Sequence, residues 1–169
     1  IGLMTAAVAR IAGASTIYGT DLLPYRLAVS SKYGVDKCFN ASQIDIVEAI
    51  LGETKGRGVD AVLDCARSTE TPAVACRIAK PAGRVVLTGI SGQSSGTFPV
   101  DVARRKELSL VWCRRFLFNY PYAIHLASSQ KIDLGSLITH RFPLSETKRA
   151  FDIAANYSEN VLKISIDQL

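Results

Sequence analysis

Two short runs decide what kind of fold this chain can adopt. Ala61-Val62-Leu63-Asp64-Cys65 and Val85-Val86-Leu87-Thr88-Gly89 are apolar on successive residues and do not alternate. That is the pattern of strands covered on both faces, as parallel strands are. Between them Thr71 is placed to cap, and Pro72 to begin, a helix running to Lys80. The same rhythm extends in both directions. Upstream, Leu3, Ala6, Ala7, Arg10, Ile11 and Ala14 recur at helical steps in a helix closing near Gly13. Thr16 to Thr20 is β-favouring and stops at Asp21, and Leu23 to Tyr33 reads as helix ending at Gly34. Ser42-Gln43-Ile44-Asp45 has the form of a capping box for a helix from Ile46 to about Glu53, followed by a turn at Gly56 and Gly58. Downstream, a Gly/Ser loop over 91–97 precedes a helix over 99–106 and another covered strand over 108–112. Alternating strands and helices with short connections predict an α/β fold, an open doubly wound parallel sheet with helices on both faces.

From Ser136 the rhythm changes. Leu137 to Phe142 is strand-like, Ser145 to Tyr157 is an amphipathic helix with Ala150, Phe151, Ile153 and Ala154 on its apolar side, and Val161 to Ile166 alternates like a half-exposed strand. This tail is expected to belong to a different sheet, which places a domain boundary between residues 1–135 and 136–169.

Composition removes several function classes. The 169 residues carry 20 Lys and Arg against 15 Asp and Glu, a net charge of +5, with basic clusters only at Arg104-Arg105-Lys106 and Arg114-Arg115. That is too thin a footprint for nucleic-acid binding. No apolar stretch approaches the roughly 20 residues needed to span a bilayer, so no membrane partner is expected. Cys38, Cys65, Cys76 and Cys113 form no C-x-x-C pair and lie at no zinc-like interval from His125 or His140. They read as free, mostly buried thiols of a cytoplasmic protein.

A doubly wound sheet binds ligands outside the carboxyl ends of its strands, so the residues just after strands are the candidates. Asp21 ends the first strand, nineteen residues beyond Gly2, about the interval from the last glycine of a dinucleotide fingerprint to the carboxylate that accepts from the adenosine ribose hydroxyls. A carboxylate there repels a 2′-phosphate and so selects NAD over NADP; the competing reading is a plain helix cap. Gly2 would let its helix pack closely and offer N–H groups to a pyrophosphate. Arg26 is either a guanidinium laid on adenine or a solvated helix arginine. Gly89, in Thr88-Gly89-Ile90, admits a flat ring or simply turns the chain. Arg114 and Arg115, past the strand ending near Trp112, either face the ligand crevice or are surface charge.

These residues resemble a family. Ile1-Gly2-Leu3-Met4-Thr5-Ala6-Ala7-Val8-Ala9-Arg10, Thr20-Asp21-Leu22 with Arg26-Leu27, Val59-Asp60 with Asp64-Cys65, Gly83-Arg84-Val85-Val86-Leu87-Thr88-Gly89 and Ile138-Thr139-His140-Arg141-Phe142-Pro143-Leu144 are similar to the zinc-dependent medium-chain alcohol dehydrogenases, and most of all to the branch acting on the polyols sorbitol and xylitol. The resemblance covers essentially the whole chain. It implies that Ile1 and Gly2 close the phosphate-binding turn, that Asp21 holds the ribose and that Arg26 lies at the adenosine end. It further implies that Thr88, Gly89 and Ile90 line the nicotinamide, that Cys113, Arg114 and Arg115 follow the last strand, and that Arg115 also reaches substrate hydroxyls. Phe116 stands where the family often has Tyr, which removes a phenolic contact to substrate. The tail over 136–169 would return to a GroES-like catalytic domain.

The resemblance also implies what lies elsewhere. The family's zinc is held by Cys, His and a carboxylate of the amino-terminal catalytic domain, where it polarises the alcohol oxygen; His125 and His140 are not expected to replace them. The first strand of a 3-2-1-4-5-6 sheet is absent, which leaves its two neighbours unpaired on one side. The expectation is the carboxy-terminal piece of an NAD- and zinc-dependent polyol or secondary-alcohol dehydrogenase, inactive alone, homo-oligomeric when complete, with the strand near Leu110 as an edge for pairing. Two rivals stand beside it: a zinc-free quinone-type reductase, which would usually select NADPH, and a non-catalytic NAD-sensing module.

Overall fold

A computed structural model describes residues 1–93 and 95–168. The elements run α1 (Gly2–Ile11), β1 (Tyr18–Asp21), α2 (Pro24–Val29), β2 (Lys37–Asn40), α3 (Ile46–Glu53), β3 (Val59–Asp64), α4 (Thr71–Ile78) and β4 (Ala79–Leu87). They continue with α5 (Val100–Arg105), β5 (Ser109–Trp112), α6 (Tyr120–Ser128), β6 (Ile138–Pro143), α7 (Thr147–Asn156) and β7 (Lys163–Asp167). Every ladder is parallel: β1 with β2, β3 with β4, β4 with β5, and β6 with β7. The fold is the expected parallel α/β arrangement, and the tail has a sheet of its own.

The sheet formed by β1 to β5 is divided. β1 pairs only with β2, and β3 only with β4, among the described residues. Each therefore leaves one edge of backbone N–H and C=O groups without a ladder partner among the described residues. One core nevertheless spans both parts: Phe39 of β2 and Ile46, Ile50 and Ile78 of the helices pack with Tyr18 of β1 and Val59 and Val62 of β3. Ile50 is almost fully buried, roughly 1.5–3 kcal/mol of apolar transfer at one side chain.

The strands are less covered than the apolar runs suggest. Val62, Val85 and Leu110 lie in register and face the core that Ala75, Ala79 and Leu87 complete. The row on the other face, Leu63–Val86–Val111, is open: Leu63 is 41% and Val111 42% exposed. Continuous apolar character reported the face that helices cover and overstated the opposite one.

Local signals were met in part. Gly13 (φ 96°) and Gly34 (φ 85°) take the left-handed conformation just past the helices they were expected to end. At α3, however, Ser42 is not the cap. Asn40 Oδ1 accepts its N–H and hydroxyl at 2.9 and 2.7 Å, so Asp45 caps the helix, accepting from the N–H groups of Val47 and Glu48 at 2.7 and 3.1 Å. Thr71 likewise is the first residue of α4 and not its cap, because its hydroxyl is taken by Asp64. α4 stops at Ile78, before Lys80, since β4 starts at Ala79. The β3–β4 register jumps from Val59↔Ala79 to Ala61↔Arg84, so residues 80–83 arch out of the ladder. Lys106 Nζ holds this junction by donating to the carbonyls of Cys76, Arg77 and Ala79 at 3.3, 2.6 and 2.7 Å. Of the four thiols, only Cys76 is buried; Cys38 and Cys65 are half-buried and Cys113 is exposed.

In the tail, Ala150, Ile153, Phe142 and Val161 form a small separate core, while Phe151 points outward. Tyr33 ties the tail to the rest through a 2.6 Å hydrogen bond with Ser136.

Candidate functional site

Parallel pairing puts the ends of β3, β4 and β5 along one edge, with Asp64, Leu87 and Trp112 in register. The chain leaving β3 is pinned there. The main-chain carbonyl of Asp64 accepts from the N–H groups of Thr88 and Gly89 at 2.8 and 3.0 Å and from the Thr88 hydroxyl at 2.8 Å. Its carboxylate accepts the Ala66 N–H at 2.9 Å and the Thr71 hydroxyl at 2.8 Å. Asp64 thus shapes both turns, its main-chain carbonyl the one after β4 and its carboxylate the one after β3.

Gly89 is where this geometry is least forgiving. A Cβ on it would fall on the carbonyl oxygen of Ala66 and 2.7 Å from the carbonyl carbon. No side chain fits without moving the backbone of the neighbouring turn. β4 ends at Leu87, so Thr88 and Gly89, expected within the strand, instead hook across to β3.

The first turn of α1 meets this edge. A Cβ at Gly2 would lie 4.0 Å from Cys65 Cβ, and Thr5 Oγ1 lies 3.4 Å from Cys65 Sγ. Thr88 Oγ1 donates to the same sulfur at 3.2 Å. Gly2, Thr5, Cys65, Thr88 and Gly89 therefore form one cluster at the carboxyl edge, with the first-turn N–H groups of α1, which have no intrahelical partner, beside it. Ile1 and Ile90 are both exposed. Cys65 and Thr5 were not singled out from sequence, although Cys65 follows a strand just as Thr88 does.

The end of β1 carries a second group. Asp21 Oδ1 accepts the Leu23 N–H at 3.0 Å, and Oδ2 stands 3.7 Å from the Arg26 guanidinium, each side chain being 31% exposed. Asp21 is thus a local cap and an ion-pair partner at once. The guanidinium also lies 4.9 Å from the ring centre of Tyr157 and 5.7 Å from that of Tyr25. No hydrogen bond or ion pair joins Asp21 and Arg26 to the Gly2–Gly89 cluster among the described residues.

Beyond β5, the Cys113 N–H donates to the Leu87 carbonyl at 2.9 Å and extends the ladder by one residue. Arg114 and Arg115 are exposed. Phe116 is exposed too and packs against Tyr120 at 5.0 Å between ring centres.

A dinucleotide suits this chemistry: an open helix N-terminus beside a glycine turn for phosphates, and a carboxylate at the next strand end for a ribose. A metal does not. Among the described residues no group of three His, Cys, Asp or Glu side chains could hold an ion. His140 is occupied by Thr139 Oγ1 at 2.9 Å and stands 3.8 Å from Glu159.

Comparison with known proteins gives this arrangement a family. The zinc-binding dehydrogenase family matches residues 1–129. The chain belongs to that family. Among curated members, this zinc-binding dehydrogenase chain is 34% identical over 169 residues to a putative D-xylulose reductase of Rhizobium meliloti, covering 99% of the chain and 48% of the relative. It is 28% identical over 173 residues to sorbitol dehydrogenase 1 of Saccharomyces cerevisiae, covering 98% and 48%. Among solved structures, a putative zinc-binding dehydrogenase from Sinorhizobium meliloti, bound to NADP, superposes with a TM-score of 0.88 at 28% identity, covering 97% of this chain and 48% of that one. The chain spans about half the length of the curated relatives it matches. Among the described residues no helix is long and apolar enough to cross a membrane.

Proposed function

We propose that this chain is the NAD-binding half of a zinc-dependent polyol or secondary-alcohol dehydrogenase. The observation that supports this most is the meeting of the α1 N-terminus with the turns after β3 and β4, each fixed by backbone hydrogen bonds. In this reading the first-turn N–H groups after Ile1 and Gly2 take the pyrophosphate, and Asp21 accepts from the ribose. Arg26 lies at the adenosine end, and Thr88, Gly89 and Ile90 bound the nicotinamide. Cys113, Arg114 and Arg115 form the far wall, with Arg115 and Phe116 towards a small polyol or secondary alcohol. Bound NAD supplies the hydride acceptor; the residues of this chain orient it.

Residues 1–135 would form the dinucleotide domain, and β6, α7 and β7, within 136–169, would complete a second, catalytic domain. The zinc that the family name implies has no ligand set here and would be held by residues outside this chain, so the chain alone would not turn over substrate. A homo-oligomer would pair through the outer edge of β5, whose ladder partner among the described residues is β4 alone. The half-buried and exposed thiols suit the reducing cytoplasm.

The deciding experiment is NADH formation by the complete protein with sorbitol, xylitol and threonine, before and after chelation. A polyol-dependent rate abolished by chelation supports the reading. A rate unaffected by chelation points to the zinc-free reductase, nucleotide binding without turnover to a sensing module, and neither turnover nor binding of NAD or NADH overturns the site.

A further inference from the structure

Arg26 sits between two parts of the chain that are far apart in sequence. On one side is Asp21, at a distance of 3.7 Å with both side chains partly in water, too long and too wet to hold a flexible arginine alone. On the other is the ring of Tyr157, 4.9 Å from the guanidinium carbon and within cation–π range. Beside them the Tyr25 hydroxyl donates to the carbonyl of Val161 at 3.0 Å, so α2 is tied to the α7–β7 connection at two successive residues.

Two further facts show that Tyr157 is not simply core. It is 50% exposed, so burial does not require an aromatic there. It also ends α7 in the left-handed conformation at φ 51°, in a connection where Glu159 and Asn160 repeat that conformation at φ 54° and 56°. In that conformation its N–H closes the helix on the Ile153 carbonyl, while its ring stands against Arg26.

We propose that Tyr157 is a positioning residue for coenzyme selection. Its ring holds the Arg26 guanidinium beside Asp21, so that the pair offers a carboxylate to a ribose hydroxyl and the arginine does not swing out to receive a 2′-phosphate. The proposal rests on the dinucleotide reading given above. Coulomb's law supplies the selectivity: the Asp21 carboxylate repels a phosphate dianion, whereas a released guanidinium attracts it.

The test is fluorescence titration of the complete protein with NADH and with NADPH. Tyr157→Leu, which fills the space without a π face, is expected to lower the NADH-over-NADPH preference about tenfold. Tyr157→Phe, which keeps the ring, should retain the wild-type ratio. In an Arg26→Ala background Tyr157→Leu should change nothing, which a merely structural role would not produce. Tyr157→Ala carries the same expectations as Tyr157→Leu and serves if the latter does not fold, as judged by its melting transition. An unchanged ratio in the leucine or alanine variant, or an effect that persists without Arg26, overturns the inference and leaves the dinucleotide reading standing. Wild-type protein that binds neither nucleotide overturns both.

Discussion

The two ends of the proposed crevice are made of different materials. After β3 and β4, position is set by main chain: Asp64 accepts from Thr88 and Gly89, and Ala66 occupies the only space a side chain on Gly89 would have. After β1 it is set by side chains, a carboxylate, a guanidinium and a tyrosine ring from the tail, all partly in water. The first end is rigid because backbone cannot be displaced without losing ladder bonds. The second is adjustable, because charge and ring faces can be exchanged without disturbing the strands. On the proposed reading, a nucleotide half with a fixed nicotinamide end and a tunable adenosine end would change coenzyme without changing the reacting geometry.

Gly89→Ala should break the rigid end and give the largest effect. The methyl group collides with the Ala66 carbonyl, and the bonds to Asp64 must stretch or break. The expected loss is roughly 2–4 kcal/mol of stability, read as a lower urea midpoint. An unchanged midpoint would show that the turn after β3 yields, and the contrast between the ends would go with it. Asp21→Ala should spare the strands and act on binding instead. The expected loss is about 1–3 kcal/mol of NADH affinity by fluorescence titration. Asp21→Asn sharpens the point: it keeps an acceptor for the Leu23 N–H, so the unfolding midpoint should stay at the wild-type value while NADH weakens and NADPH gains.

The same division explains what could be read from sequence. Gly13, Gly34 and the end of the first strand at Asp21 were legible because each is set by the local chain. Cys65 was not, because its partners Thr5 and Thr88 are 60 and 23 residues away, and no local pattern encodes such contacts. Ser42 misled because Asn40 competes for it two residues upstream. The runs at 61–65 and 108–112 correctly announced parallel strands, but periodicity cannot tell whether the face carrying Leu63 and Val111 is covered. α6 gave no clear signal, since Leu126 is buried while Tyr120, Tyr122 and Ile124 are exposed on the same short helix. Tyr157 acts on Arg26 from another sheet, so its role emerges only in three dimensions.

A smaller effect tests whether side chains matter at the rigid end at all. Thr88→Val removes the hydroxyl that donates to the Asp64 carbonyl and to Cys65 Sγ, yet leaves the Thr88 N–H bond to Asp64 in place. The expected cost is about 1 kcal/mol in the urea midpoint, well below that of Gly89→Ala. If the two variants cost the same, the hydroxyl and not the backbone holds the turn.

The smallest effect is expected at the opposite, amino-terminal end of β3, where Asp60 lies exposed between Arg57 and Lys80, each with a nitrogen 2.6 Å from Oδ1. The hydrogen bond from Arg57, then that from Lys80, holds the Asp60 carboxyl far below the usual carboxylate range. A carboxyl whose folded pKa is depressed adds stability above its unfolded pKa, near 3.9, and loses it as pH falls below that value towards the folded one. The unfolding midpoint of the wild type should therefore decline on acidification below about pH 4 more steeply than that of Asp60→Asn. Water and salt screen this exposed cluster, so the difference between the two curves should shrink in high salt. The Gly89→Ala deficit, which is steric, should not shrink with salt. Equal salt sensitivity of the two would mean that the turn at Gly89 is held by charge, and the distinction between a backbone-built and a charge-built end would fail.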